Sequence, residues 1–159
     1  MYLIDGNNVM GQRVGWHRDK AAARQRLLRE LAAFAAHNKI RLAVVFDGLP
    51  EVNIADGSSF RGVKVFYARP GSDADHRILE FVERERNRKA LTVVTSDLQL
   101  LNQVRAYGVR VVRSGEFRRL LEQDFAAAEE HPPQVQDEDL SEWMRYFGVH
   151  ESDDENGVP

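Results

Sequence analysis

The sequence predicts an α/β fold of three layers, a central and mostly parallel sheet flanked by helices. Three observations predict it. Short apolar runs alternate with helical patterns along the chain, the order that builds parallel sheets. The run at residues 40–46 is apolar apart from Arg41, as expected of a strand buried on both faces. Three such runs close on an acid, at Asp5, Asp47 and Asp97.

The elements follow in order. Met1-Tyr2-Leu3-Ile4 reads as a short buried strand, and Asp5-Gly6-Asn7-Asn8 as a tight turn leaving it. Asp19 is a suitable N-cap for a helix over residues 21–36. Leu27, Leu28, Leu31, Phe34 and Ala35 fall at helical spacing there, with Arg24, Arg26, Arg29 and Glu30 on the other face. The second strand spans residues 40–46 and ends in Asp47-Gly48. Residues 49–62, rich in Gly, Asp, Asn and Ser, form a loop with short extended pieces. Residues 63–67 alternate as a third strand.

Ala68-Arg69-Pro70-Gly71 breaks the chain, and Ser72 caps a helix running from residue 73 to about residue 88. Its apolar stripe is Ala74, Ile78, Leu79, Phe81 and Val82, and its far end is basic. Residues 91–94 are a fourth strand closing on Thr95-Ser96-Asp97. A short helix over residues 98–107 ends at Gly108, the left-handed position past a helix end. Residues 109–112 are a fifth strand. Ser114 caps a last body helix that buries Phe117, Leu120, Leu121 and Phe125.

At 159 residues the chain fits one domain with its own core. That domain body is expected over residues 1–126. Residues 127–148 read as a linker and a short amphipathic helix (residues 140–148) docking back on it, and residues 149–159 as a disordered acidic tail. No apolar run approaches the ~20 residues a membrane span needs, so no membrane partner and a cytoplasmic location are expected. The chain has no cysteine, which excludes disulfides, zinc–thiolate sites and thiol nucleophiles. No G-x-G-x-x-G follows a strand, so no organic cofactor is expected. The net charge of -3 divides unevenly: residues 1–126 carry 21 basic and 15 acidic side chains, and residues 127–159 carry 1 and 10. A basic body favours polyanions through phosphate contacts and counterion release. The acidic tail reads either as solubilising disorder or as a competitor of the polyanion for that body.

Asp5, Asp47 and Asp97 follow strands, and Asp75 lies in the first turn of a helix that follows a strand. In a parallel sheet these positions share one edge, where ligands of open α/β sheets bind. Taken singly, Asp47-Gly48 reads as a turn, and Ser72, Asp73, Ser96 and Asp97 read as helix caps. Together, four acids converging on one edge repel one another unless protons or cations neutralise them. Oxygen donors without His or Cys select Mg²⁺ or Mn²⁺. Such ions activate water and stabilise the leaving oxygen of an in-line phosphoryl displacement.

These residues also carry a family resemblance. Asp5-Gly6-Asn7-Asn8, Phe46-Asp47-Gly48, Ala74-Asp75-His76-Arg77-Ile78 and Val94-Thr95-Ser96-Asp97 resemble the motifs of the YacP-like branch of the NYN domain family, within the PIN-like nuclease superfamily. Arg113-Ser114 and the segment over residues 140–147 are similar as well, so the likeness covers residues 1–148. It implies a PIN-like fold and a divalent-metal-dependent endoribonuclease acting on mRNA in association with the ribosome. Carried over by position, Asp5, Asp75 and Asp97 match the metal-binding acids. Asp47 matches a fourth acidic position, and Asn8 and Ser96 match polar positions beside them. The family often has an aromatic where this chain has Asn7, so either Asn7 or Asn8 could face the site, and Asp73 is a second candidate beside Asp75. Arg61, Lys64, Arg69, Arg77, Arg113, Arg118 and Arg119 are expected near the cleft edge, where they would track an RNA backbone.

Two other functions were open on the residues. One is an RNA- or ribosome-binding module that keeps the nuclease fold without catalysis. The other is a small-molecule phosphatase of the haloacid-dehalogenase kind. The latter needs Asp-x-Asp after the first strand, and Asn7 stands at the third position.

Overall fold

A six-stranded sheet with the order β3-β4-β2-β1-β5-β6 forms the centre of the molecule. The structure, a computed structural model, describes residues 1–130. The expected linker, the helix over residues 140–148 and the acidic tail lie outside the described residues. The strands are β1 (Tyr2–Asp5), β2 (Leu42–Phe46), β3 (Ser58–Phe60), β4 (Val63–Tyr67), β5 (Thr92–Val94) and β6 (Arg110–Val112). The helices are α1 (Gly6–Met10), α2 (Lys20–Asn38), α3 (Ala74–Arg84), α4 (Leu98–Ala106) and α5 (Ser114–Glu130). All strand pairs are parallel except β3 with β4.

The pleat explains the two cores. Successive strand residues point to opposite faces. Ile4, Val44 and Val94 therefore join Leu27, Leu28, Leu31 and Phe117 under α1, α2 and α5. Leu3, Ala43, Val45 and Val93 join Ala74, Ile78, Val82, Leu100 and Val104 under α3 and α4. By the same alternation Asp5 shares the side of Leu3 and faces α3 and α4. Among the described residues no helix is long and apolar enough to cross a membrane.

Several elements differ from the sequence expectation, each for a physical reason. The expected turn after Asp5 is the helix α1. Asn7 and Asn8 are weak helix formers, but Val9 and Met10 are buried in the core and hold the turn in helical form. A short strand, β3, emerges from the expected loop by pairing antiparallel with β4. Asp73, rather than Ser72, caps α3, its Oδ1 accepting from the His76 amide at 2.9 Å. Helix α3 stops at Arg84 because Glu85 is extended, and a 3-10 turn follows at Arg88–Ala90. Leu120 is 40% exposed on α5 rather than inward. Arg24 and Glu30 sit on the buried face of α2, not on its outer face, because each meets polar partners from other elements.

Candidate active site

The chain runs from β1 outward to β2 and β4, then returns to place β5 on the other side of β1. The crevice between β1 and β5 is thus the point where strand order reverses, the place where open α/β sheets bind ligands. Asp5 ends β1 there, and Thr95-Ser96-Asp97 follows β5. Asp47 follows β2, and Asp75 opens α3 above the same edge.

Asp5 is 4% exposed, and its Oδ2 accepts the Thr95 hydroxyl at 3.0 Å. Burial pushes its carboxyl up to about 7, the Thr95 hydrogen bond opposes the rise, and the nearby charges of Asp75 and Asp47 add to it. Burial also pushes Asp75 up to about 6, with the charges of Asp97, Asp73 and Asp47 adding to the rise. The four predicted acids therefore feel one another. Asp73 does otherwise: its Oδ1 lies 2.6 Å from His76 Nδ1, and hydrogen bonds from His76 hold it below the usual carboxylate range. Of the two neighbours on α3, Asp75 is the one that raises Asp5.

Hydrogen bonds from the carboxylates and amides lock the elements around this point. Asp47 Oδ1 accepts the Ala74 amide at 2.8 Å, which ties the end of β2 to the start of α3. Asp97 Oδ1 caps α4 through the Leu100 amide at 2.9 Å, and its own amide donates to Thr95 Oγ1 at 3.1 Å. Both Asn7 and Asn8 turn inward, to different neighbours. Asn7 Oδ1 accepts the Asp47 amide at 3.0 Å. Asn8 Oδ1 accepts the Ser96 amide at 2.8 Å and the Ser114 hydroxyl at 2.5 Å, while Ser96 Oγ accepts the Ser114 amide at 2.8 Å. Gly6 permits this docking, since a Cβ there would meet the Phe46 ring at 2.6 Å.

The donor set is all oxygen, as Mg²⁺ or Mn²⁺ prefers. Its crowding of desolvated carboxylates suits a cation, which would relieve their repulsion. As arranged, Asp47 and Asp97 each spend one oxygen on a helix amide. Among the described residues no three acidic or imidazole side chains stand close enough to hold a metal ion between them.

The predicted basic residues divide. Arg113 and Arg119 are exposed, with no side-chain hydrogen bond or ion pair among the described residues. Arg69 is exposed on the cleft edge but forks onto Glu80 through Nε and Nη2. Arg77 is turned away from a backbone-tracking role, donating to Tyr67 O and Asp56 between the Phe66 and Phe81 rings. Arg118 is a correction. It is 6% exposed, and donates to Glu30 at 2.5 Å and to the Val9 carbonyl, because α5 packs against α1 and α2 and draws the guanidinium into the body. Arg61 and Lys64 are also displaced from the expected edge. Arg61 precedes β4 and Lys64 is its second residue, whereas the carboxylates lie beyond the strand ends at Phe46 and Tyr67. At ~3.3 Å per residue the strand puts Arg61 roughly 20 Å from that end.

Sequence reading missed Thr95 as the partner of Asp5, Ser114 as the partner of Asn8, and Arg24. Arg24 donates to the carbonyls of Asp47 and Leu49 and to Glu51, bracing the loop after β2. Two signals were available. Thr95 shares strand parity with Val93, and so the side of Asp5, and Arg24 stands one helical turn before Leu28.

A sequence model of the YacP-like NYN domain matches residues 2–146. Two crystal structures of Rae1 (YacP) from Bacillus subtilis are similar in fold. One, of a tryptophan-to-leucine mutant, has a TM-score of 0.67 and 21% identity, covering 92% of this chain and 91% of that one. The other has a TM-score of 0.69 and 23% identity, covering 82% and 78%. No curated protein sequence matches this chain.

Proposed function

Because this chain belongs to the YacP-like NYN domain family, a nuclease-type family with an RNA-related role, we propose that it is a divalent-metal-dependent endoribonuclease. The observation that carries this reading is the convergence of four carboxylates on the β1–β5 crevice, with Asp5 pushed up to about 7 and Asp75 to about 6. The proposal extends to mRNA as substrate and the ribosome as a partner, on the motif resemblance set out above, and to the cytoplasm as location.

Asp5, Asp75 and Asp97 are the residues that would hold Mg²⁺ or Mn²⁺, each retaining carboxylate oxygen for it, and Asp47 lies next to them. The ion, when bound, supplies charge neutralisation at the scissile phosphate and a more acidic water. The reaction is hydrolysis: water adds at phosphorus, the bond to the 3′ oxygen breaks, and that oxygen takes a proton. The products are a 5′-phosphate and a 3′-hydroxyl. Thr95 orients Asp5 through its hydroxyl. Asn7, Asn8 and Ser96 fix the ends of β2 and β5 relative to β1, which sets the spacing of the acids. Arg113 and Arg119, which have no ion-pair partner among the described residues, offer positive charge to the RNA backbone.

Cleavage of RNA with Mn²⁺ by wild type and Asp5→Asn tests the reading. The variant is expected to lose about a hundredfold or more of the activity, and EDTA to abolish cleavage by wild type. A folded Asp5→Asn protein with full activity would remove Asp5 from the site. The engagement of Asp47 and Asp97 with helix amides favours a second reading, a non-catalytic RNA-binding module. RNA binding without cleavage by wild type under any divalent ion would select it.

A further inference from the structure

Helix α2 runs antiparallel to the strands, so its first turns lie at the same sheet edge as the carboxylates; the Arg24 bonds to the loop after β2 fix this. Over that edge, on the side of the sheet opposite α3, the segment between α1 and α2 encloses a cavity of about 270 Å³. Its walls include Arg13, Trp16, Arg18, Arg26, Leu27 and Arg118.

The composition of the walls is unusual for a core defect. Trp16 is half-buried against the core, with Lys20 Nζ 5.9 Å from its ring centroid. Four guanidiniums face two acids, Asp19 and Glu30, of which Asp19 is occupied as the N-cap of α2. Three of the guanidiniums, Arg13, Arg26 and Arg118, share the two oxygens of Glu30, and Arg13 also reaches Glu122 at 3.7 Å, which leaves Arg18 as the surplus charge. The Arg118 side chain is 7% exposed, and its Nε, with that of Arg13, is buried without a hydrogen-bond partner among the described residues. Arg18 is exposed, with no side-chain hydrogen bond or ion pair among the described residues. An aromatic wall beside guanidinium charge is how proteins hold single-stranded nucleic acid, stacking a base and tracking its phosphate.

We propose that this pocket is a nucleotide subsite that takes one unpaired nucleotide of an RNA strand, its base on the Trp16 indole and its phosphate toward Arg13, Arg18 and Arg26. The inference rests on the reading of this chain as acting on RNA and names the substrate class as single-stranded. Helix α1 joins the two places. It begins after Asp5, and its last residue, Met10, lines the pocket. Five residues at ~1.5 Å each span roughly 7.5 Å. That is about two steps of stacked backbone at ~3.4 Å per nucleotide. A base held at Trp16 therefore leaves a phosphate a few nucleotides away to lie over Asp5. A paired base has no free face to offer, so the pocket selects single strands.

Binding, not cleavage, is the test. The full chain is titrated in EDTA against a labelled mixed-sequence RNA strand, free or annealed to its complement. Trp16→Ala is expected to weaken single-strand binding by between about five- and a hundredfold. Trp16→Phe restores most of it, and duplex affinity changes less than about twofold. Arg18→Ala lowers the slope of log affinity against log salt by about 1 for the single strand. Unchanged single-strand affinity in Trp16→Ala overturns the inference, as does an equal loss for both RNA forms. If Trp16→Ala does not fold, Arg18→Ala decides by the same salt slope. Wild type that binds single strands through Trp16 yet never cuts RNA leaves this subsite standing and removes the hydrolysis reading.

Discussion

Thr95 Oγ1 donates to Asp5 Oδ2 at 3.0 Å, joining two residues 90 positions apart at the buried end of adjacent strands. The same hydroxyl oxygen accepts from the Asp97 amide at 3.1 Å. One side chain thus orients the first acid and supports the loop of the third. Its hydrogen bond favours the ionised form of Asp5 against burial. Thr95→Val keeps the shape and removes both bonds. Cleavage at neutral pH is expected to fall about five- to thirtyfold, and the acid limb of the pH–rate profile to move to higher pH. A profile that falls in height without moving would limit Thr95 to packing.

Without a bound cation, stability is expected to decline as pH rises from about 4 to about 7. Burial raises the folded Asp5 carboxyl from 3.8 to about 7, so in that window the native state holds a proton that the unfolded chain has released. Below about pH 4 both states are protonated and the difference vanishes. The size is of the order of 3–4 kcal/mol at most, and Asp75 acts in the same direction. Urea unfolding in EDTA across this range checks it. Asp5→Asn should flatten the decline and be the more stable protein at neutral pH; a wild type that gains stability toward neutral pH contradicts the assignment.

Asn8→Ala leaves the Ser96 amide and the Ser114 hydroxyl without their shared acceptor. Leaving such groups unsatisfied costs about 1–3 kcal/mol, read as a lower urea midpoint. Activity should fall further than stability explains, because the ends of β1, β5 and the start of α5 lose their common anchor.

Arg118→Ala tests the correction made at that residue. It removes the shortest of three arginine contacts to the buried Glu30 carboxylate and leaves Arg13 and Arg26, so the loss is expected to stay below the about 3–5 kcal/mol of a fully broken buried ion pair. The salt dependence of RNA binding by the folded fraction should stay that of wild type. A reduced slope would return Arg118 to the RNA-contacting surface.

The acids were legible in the sequence because each lies at the end of an apolar run, and the runs are local patterns. Their convergence needed only the parallel arrangement that alternating strands and helices imply. The roles of Asn7 and Asn8 were not legible. They depend on β2 and β5 being the neighbours of β1, and sheet order is set by packing across the whole chain. Arg118 and Glu30 failed for the same reason, since charge on a helix reads as exposed until the partner helix is known. Arg24 was closer to hand, at the spacing of the apolar stripe it belongs to.

The sheet order carries one more consequence. Asp5 lies in β1, yet β5, which pairs beside it, follows β2, β3 and β4 along the chain. Until residues 92–97 insert, Asp5 faces neither Thr95 nor Asp97. The acidic centre is therefore a property of the finished sheet, and a chain still emerging from synthesis or clipped before β5 lacks it.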